Sequence, residues 1–185
     1  MLLEDELIQK CICGDRFAQK ELYERYSPIF FAVCLRYMPT RTEAEDVLIV
    51  GFTSIFAKID TYKNEGAFEC WMRQIIVNTA IDTLRVNNRH YKIKNESIEW
   101  NDETISTSKN MTYSQLDRKE IMEQIKQLSV GYRTIFNLYA IEGYSYEEIS
   151  SMLGVNMGTV KSQLAKARKL LQKKLEIFRY NEEQL

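Results

Sequence analysis

The sequence predicts an all-α protein: two small helical domains joined by a flexible linker, with the C-terminal domain a helix-turn-helix. The chain of 185 residues has only seven glycines and two prolines, whereas a β-fold needs many such residues in its turns. Apolar residues recur at helical spacing through most of the chain. The exception is residues 93–115, which are rich in Asn, Ser, Thr and Glu and show no periodicity. We therefore expect domains over residues 1–92 and 116–185, with residues 93–115 as the linker.

The first helices of the N-terminal domain are predicted from their caps. A helix over about Glu4–Cys13 is followed by Asp15, whose side chain can accept from the free N–H groups of a second helix. Ser27 followed by Pro28 predicts another start, because proline is favoured at the first helical position. This helix would stop before Pro39, which disfavours helical backbone in the residue preceding it. The side chains expected on the buried side of the second helix are Phe17, Leu22 and Tyr26.

The next helix is predicted to begin at Thr42–Glu45, which fits a capping box. Gly51 lies inside this helix and costs about 1 kcal/mol relative to alanine. The apolar residues at helical spacing form its core face: Ala44, Leu48, Phe52, Ile55 and Ile59. A loop over Thr61–Gly66 then precedes a long final helix, predicted over about Ala67–Val86.

The long final helix carries an unusual second face. Its members recur at steps of three and four: Trp71, Gln74, Asn78, Asp82 and Arg85. Tryptophan can stack on unpaired bases, and Asn and Arg can bond base edges and phosphates. A purely structural interpretation stays open from the residues alone. In that interpretation Phe68 and Trp71 are core residues, and Asp82 pairs with Arg85 for only ~0.3 kcal/mol.

The C-terminal domain is predicted to begin with two helices, over Leu116–Leu128 and Tyr132–Glu142. The helix-turn-helix follows. Ser145–Glu148 is a capping box that begins its first helix, and Gly154 supplies the left-handed turn that ends it. Asn156 can then cap the second helix.

The second helix of this motif has one apolar face and one basic face. Residues 156–175 contain six basic side chains and no acidic one. The apolar stripe consists of Val160, Leu164, Ala167 and Leu171. The opposite face consists of Gly158, Lys161, Ser162, Ala165 and Lys169, flanked by Thr159 and Lys166. Small residues between lysines suit a helix that enters the major groove and contacts phosphates; a merely solvated basic face is the alternative.

Composition favours a binding protein over an enzyme. Four cysteines without a Cys-x-x-Cys pair and a single histidine predict no metal site. The sequence has no P-loop, no Ser/His/Asp set and no paired carboxylates, so we expect neither catalysis nor a cofactor. The acidic N-terminus lacks a signal-peptide pattern, and no apolar run reaches the ~20 residues of a membrane span. We expect a cytoplasmic protein that does not insert into a membrane.

Several motifs occur in register along the chain. They are Ala44–Asp46 with Phe52; Phe68, Trp71, Asn78, Asp82 and Arg85; Arg133, Phe136, Leu138, Ile141–Gly143, Glu148 and Ile149; and Gly158–Ser162 with Ala167 and Arg168. Together they resemble the extracytoplasmic-function group of bacterial sigma factors, the promoter-specificity subunits of RNA polymerase. The resemblance covers nearly the whole chain outside the linker. It implies an alternative sigma factor that binds core polymerase and directs promoter-specific transcription initiation.

The resemblance implies partners and a role for each part. The helix opened by Ala44 would dock on the clamp helices of the polymerase β′ subunit through Glu45, Asp46, Ile49, Val50 and Phe52. The −10 promoter element would be melted and read by Lys63, Phe68, Trp71, Arg73, Asn78, Asp82, Arg85 and Arg89. The −35 element would be read by Asn156, Gly158, Thr159, Lys161, Ser162, Gln163, Lys166, Arg168 and Lys169. Further implied partners are the β flap of the polymerase and an anti-sigma factor.

The chain departs from the family pattern at the docking helix. Ile49 and Val50 stand where family members usually carry Gln and an acid, so an apolar run replaces a polar edge. Gln163 replaces the usual Arg of the −35 reader. Two alternatives therefore stay open. One is a degenerate sigma-like interaction protein, and the other is a stand-alone helix-turn-helix regulator that binds duplex DNA without polymerase.

Overall fold

The structure, a computed structural model, describes the backbone of residues 3–94 and 118–182 and the side chains of residues 3–86 and 121–175. Over these residues the chain is helical and contains no strand, which confirms the all-α prediction. Its α-helices are α1 (Glu4–Ile12), α2 (Arg16–Tyr37), α3 (Arg41–Lys58), α4 (Phe68–Lys94), α5 (Arg118–Lys126), α6 (Val130–Phe136), α7 (Tyr146–Leu153) and α8 (Met157–Glu182). A 3-10 turn, Ile59–Thr61, follows α3, and a π-helical turn, Asn137–Ile141, follows α6.

The chain divides into two compact units, Met1–Asn88 and Arg89–Leu185. Helix α4 runs to Lys94, well beyond its predicted end at Val86, because no glycine or proline interrupts the intervening sequence. Residues 93 and 94, which the sequence assigned to the linker, are therefore helical. Residues 95–115 of the expected linker lie outside the described residues.

The start of α2 is fixed by Asp15, as predicted. Its carboxylate accepts the backbone N–H groups of Phe17 and Ala18 at 2.8 and 3.2 Å. Leu22 and Tyr26 are buried as expected, but Phe17 is 87% exposed. Phe17 precedes Leu22 by five residues, so it lies about 140° away around the helix and does not share the buried face.

Helix α2 is continuous from Arg16 to Tyr37, so the predicted new start at Ser27 is wrong. Pro28 lies inside the helix. The side chains of Tyr26 and Phe30, on either side of this proline, are both buried and their rings stack at 6.0 Å. Packing of both segments into one core therefore outweighs the local cost of a proline in the helix.

Helix α3 begins before the predicted box at Thr42–Glu45, so that prediction is wrong in register. Thr40 is the N-cap: its hydroxyl accepts the N–H of Glu43 at 3.2 Å, and the Glu43 carboxylate accepts the N–H of Thr40 at 3.1 Å. The sequence contains two overlapping Thr-x-x-Glu matches. The earlier one leaves the Glu45 carboxylate available to Arg41, at 2.9 Å.

The predicted core face of α3 is buried. Its members are Ala44, Leu48, Phe52, Ile55 and Ile59. Gly51 is also buried, and a Cβ built on it would lie 2.5 Å from Cδ1 of Ile76 in α4. Glycine at this position therefore leaves room for the end of the Ile76 side chain between α3 and α4, which accounts for a residue that is unfavourable in a helix interior.

The second unit packs α5 and α6 against α8. Its described core includes Ile125, Leu128, Tyr132, Ala167 and Leu171. Arg133 is buried, and its guanidinium donates to the carbonyl of Lys126 at 3.0 Å, which ties the last turn of α5 to α6. Burial lowers the pKa of Arg133 from its ordinary value. The predicted helix Tyr132–Glu142 is replaced by α6 and the π-helical turn.

Candidate nucleic-acid interface

The turn between α7 and α8 is built as the sequence predicts. The Ser145 hydroxyl accepts the N–H of Glu148 at 3.2 Å, and the Glu148 carboxylate accepts the N–H of Ser145 at 2.8 Å. The hydrogen bond from the Ser145 N–H, together with one from the Ser145 side chain, lowers the pKa of the Glu148 carboxyl group. Gly154 ends α7 in the left-handed conformation, at φ 65° and ψ 34°. Asn156 then caps α8 through its Oδ1, which accepts the N–H of Thr159 at 2.8 Å.

The two faces of α8 are separated as expected. The stripe of Val160, Leu164, Ala167 and Leu171 is buried. The exposed residues of the predicted basic face are Asn156, Gly158, Lys161, Ser162, Ala165, Lys166, Arg168 and Lys169, with Thr159 half-buried. Gln163 is only 9% exposed. It directly precedes Leu164 and lies on the packed side of α8, so it does not belong to the accessible face.

Two tyrosines that the sequence analysis did not single out lie beside α8. The rings of Tyr139 and Tyr146 stack with centroids 4.9 Å apart and an interplanar angle of 14°. The Lys161 ammonium lies 5.4 Å from the Tyr146 ring centroid, and the Arg168 guanidinium lies 5.2 Å from that of Tyr139. Lys161 and Arg168 lie two turns apart on α8, but the two tyrosines come from the π-helical turn and from α7, so no single helical spacing relates all four residues. Only the packing of these segments brings them together.

The second face of α4 is partly exposed. Asn78, Asp82 and Arg85 are exposed and Trp71 is half-buried. Asp82 and Arg85 are 3.6 Å apart, so the ion pair of the structural interpretation is present. Phe68 is buried and therefore does not lie on an accessible surface. Its predicted place at the DNA is not supported by this geometry.

Trp71 belongs to an aromatic cluster at the start of α4. Its ring stacks on Phe68 at 5.6 Å and lies 5.5 Å from the ring of Tyr62 in the preceding loop. Tyr62 also contacts Phe68 at 5.0 Å, and its hydroxyl donates to the carbonyl of Gly66. Phe68 is thus the buried member of the cluster, whereas Tyr62 and Trp71 are half-buried. Sequence analysis missed Tyr62 because it lies outside the helix.

The other predicted basic residues near α4 differ in their surroundings. Lys63 is exposed, and Arg73 is half-buried and paired with Glu69 at 3.3 Å. Arg89 lies outside the residues whose side chains are described.

The predicted docking residues lie on two different faces of α3. Glu45 and Asp46 are exposed, and Ile49 and Val50 are 59% and 53% exposed. Phe52 is buried, and its ring contacts other aromatic rings of the core. It therefore does not belong to an accessible docking surface, because it lies on the packed face of α3.

No group of three or more potential metal-ligating side chains is found in the part of the chain that the structure describes. None of the described helices is long and apolar enough to cross a membrane.

Two family models, for two regions of the same family, match the chain. The model of sigma-70 region 2 matches residues 22–90, and that of sigma-70 region 4 matches residues 118–171. The first span contains the α3 and α4 surfaces, and the second contains the helix-turn-helix. Together they take in more than half of the chain and define it as a sigma factor. The chain belongs to the sigma-70 family of RNA polymerase sigma factors.

Full-length relatives place it within that family. The ECF RNA polymerase sigma-E factor of Haemophilus influenzae is 28% identical over 186 residues, which is 95% of this chain and 96% of that protein. The protein of the same name from Escherichia coli K12 is 27% identical over 183 residues, 95% of each chain. The chain is accordingly an alternative sigma factor of the extracytoplasmic-function (ECF) group.

A solved structure shares its fold. The sigma factor RpoE of Bartonella quintana, determined in complex with the anti-sigma factor NepR, is 23% identical, with a TM-score of 0.52. The match covers 85% of this chain and 96% of that one.

Proposed function

We propose that the chain binds core RNA polymerase and delivers it to promoters through two separate DNA contacts. The observation that carries this proposal is the exposed face of α8, which has lysines and small residues but no acid and lies directly after a capped helix and a left-handed glycine turn. Such a helix suits the major groove, where its cations meet phosphates and its small residues allow close approach.

The −35 element is the proposed target of this face. The proposed contacts are Asn156, Gly158, Thr159, Lys161, Ser162, Lys166, Arg168 and Lys169. Asn156 and Thr159 bond each other in the helix cap, so they also fix the position at which α8 starts. In domain terms, residues 116–185 would read the −35 element and residues 1–92 the −10 element, with residues 93–115 joining them.

The −10 element is the proposed target of α4 and the loop before it. Tyr62 and Trp71 offer partly accessible ring faces, and base–aromatic stacking stabilises unpaired bases by about 1–3 kcal/mol each. Asn78 is exposed and free to bond a base edge, while Lys63, Arg73, Arg85 and Arg89 would serve the backbone. Melting then needs no catalytic group, because capturing unstacked bases offsets the cost of opening the duplex. We propose that the chain acts by binding alone and is not an enzyme.

Core polymerase is the proposed partner of the exposed face of α3. Glu45 and Asp46 would pair with basic residues of the β′ clamp helices, and Ile49 and Val50 would add an apolar contact. The β flap and an anti-sigma factor are further proposed partners, as the family resemblance implies. Because polymerase transcribes in the cytoplasm, we propose that location for the chain.

One observation favours a second candidate function. Ile49 and Val50 place exposed apolar side chains where a polar edge is usual, which suits a degenerate sigma-like protein that binds a partner without opening promoters. The proposed test is run-off transcription with core polymerase from the bacterium that encodes the chain, on genomic fragments, with and without the chain. Promoter-specific product supports the sigma function. Co-purification with core polymerase but no product supports the degenerate interactor. The absence of both product and co-purification supports a stand-alone regulator.

Matched variants locate the docking surface in the same experiment. Ile49→Gln with Val50→Glu restores the usual family pattern and should change the affinity for core polymerase. Phe17→Gln makes an apolar-to-polar change at an exposed residue of α2 and should leave that affinity unchanged. If both variants alter the affinity alike, α3 is not the docking helix.

A further inference from the structure

A ladder of four side chains runs along the proposed −35 reader. It consists of Lys161, Tyr146, Tyr139 and Arg168, in that order, with the two rings stacked at the centre and one cation on each outer side. Both tyrosines are half-buried, and both cations are exposed. The ladder joins α7 and the π-helical turn to two positions of α8 that lie seven residues apart.

An aromatic ring holds a cation differently from a carboxylate. A carboxylate fixes the cation but cancels its charge, as at the pairs Arg73–Glu69 and Arg25–Glu21 in the first unit. A ring attracts the cation through its quadrupole and carries no net charge. Among the residues whose side chains are described, no acidic group pairs with Lys161 or Arg168. Both therefore keep their full positive charge for a phosphate.

The hydroxyl groups strengthen the same arrangement. Hydrogen bonding with the Tyr146 hydroxyl, and then with the Arg168 guanidinium, lowers the pKa of Tyr139. Donation to Tyr139 raises the pKa of Tyr146. Arg168 is thus held by a ring face and a hydrogen bond, and Lys161 by a ring face alone.

We propose that Tyr139 and Tyr146 are positioning residues that hold Lys161 and Arg168 in place for the DNA backbone without neutralising them. The inference rests on the proposed function, in which α8 contacts the −35 element. Lysine and arginine lose much rotamer freedom when they meet a phosphate, and this loss weakens binding. In the ladder that freedom is already restricted before DNA arrives. Replacing Tyr146 by leucine should therefore weaken −35 binding about threefold to tenfold.

The test is a double-mutant cycle on the full chain bound to core polymerase. The probe is a promoter fragment that the wild-type holoenzyme transcribes, compared with the same fragment carrying a scrambled −35 element. Tyr146→Leu is measured in three backgrounds: wild type, Lys161→Ala and Lys169→Ala. Lys169 is an exposed cation on α8. No aromatic ring among the described side chains lies over it, so it provides the matched control.

The effect of Tyr146→Leu on DNA affinity should disappear in only one of the three backgrounds. Tyr146→Leu should weaken binding in the wild type and in Lys169→Ala, but should have almost no effect in Lys161→Ala, because the cation it positions is absent. Tyr146→Phe keeps the ring and should retain most of the affinity. The equivalent cycle pairs Tyr139→Leu with Arg168→Ala.

Several outcomes would overturn the inference. An equal loss in all three backgrounds means that Tyr146 only supports the fold. A loss for Tyr146→Phe as large as for Tyr146→Leu means that the ring face is not what matters. If Tyr146→Leu does not fold, pentafluorophenylalanine at this position keeps the ring shape but reverses its quadrupole, and affinity equal to that of Tyr146→Phe refutes the idea. If the wild-type holoenzyme transcribes no fragment, the proposed function fails and the inference falls with it.

Discussion

Gly51→Ala adds one methyl group between α3 and α4, and two opposed effects decide its outcome. Alanine is favoured over glycine in a helix interior by about 1 kcal/mol. The new Cβ would lie 2.5 Å from Cδ1 of Ile76, far inside van der Waals contact. Ile76 is fully buried and cannot swing into solvent, and overpacking of this kind costs about 1–3 kcal/mol. We therefore expect Gly51→Ala to lower the free energy of unfolding of the first unit by up to about 2 kcal/mol.

The contact atom itself can be removed to check this reasoning. Ile76→Val deletes Cδ1 and costs about 0.5–1.5 kcal/mol by itself. In the double variant the new methyl group occupies the vacated space, so the two changes should compensate by at least about 1 kcal/mol relative to additivity. Urea unfolding followed by far-UV circular dichroism measures all four proteins, and the midpoint of the first unit is the quantity compared. If Gly51→Ala stabilises the unit and the two changes are additive, the side chain of Ile76 does not pack against Gly51 as described.

Three further predictions concern the candidate interface. Trp71→Ala should reduce promoter opening about 5- to 100-fold, measured by permanganate footprinting, and should leave closed-complex binding little changed. An equal loss of both would indicate that Trp71 only supports the hydrophobic core of the first unit. Lys169→Ala should reduce the slope of log affinity against log salt by about 0.9, measured for the holoenzyme on a −35 fragment, because one phosphate contact is lost. An unchanged slope would mean that this lysine meets no phosphate. The pKa of Glu148 is lowered in the folded state by the N–H of Ser145, so its contribution to stability is present above the unfolded value of about 4.3 and is lost as pH falls through the folded value. Glu148→Gln should flatten the acid side of the stability–pH curve of the second unit, and an unaltered curve would contradict the assignment.

At the candidate site, sequence patterns correctly predicted the features that depend on residues close together in the chain. The caps at Asp15, Ser145 and Asn156 and the turn at Gly154 were predicted correctly, because each depends on hydrogen bonds or backbone sterics within a few residues. The buried stripe of α8 followed from helical periodicity in the same way. Where two local signals overlapped, as before Thr42, the sequence offered no means of choosing between them.

Burial at single positions needed the tertiary structure. Phe52, Phe68 and Gln163 were each predicted at an interface, and each is packed inside its unit. Helical spacing already put Phe52 on the core face of α3 and left a core role open for Phe68. No such sign was present for Gln163, because exposure depends on which neighbouring helix covers a face. The tyrosine pair at 139 and 146 shows the converse case, since its members belong to different segments and meet only in the folded unit.

The sequence by itself determined the helical class, the helix-turn-helix with its caps, the basic face of α8 and the family. These properties follow from local hydrogen bonding, from the 3.6-residue period and from motifs in register. The tertiary structure alone decided the continuity of α2 through Pro28, the packing of Ile76 against Gly51 and the pairing of Lys161 and Arg168 with aromatic rings. Those properties depend on contacts between residues distant in sequence, which only the packing of the helices brings together.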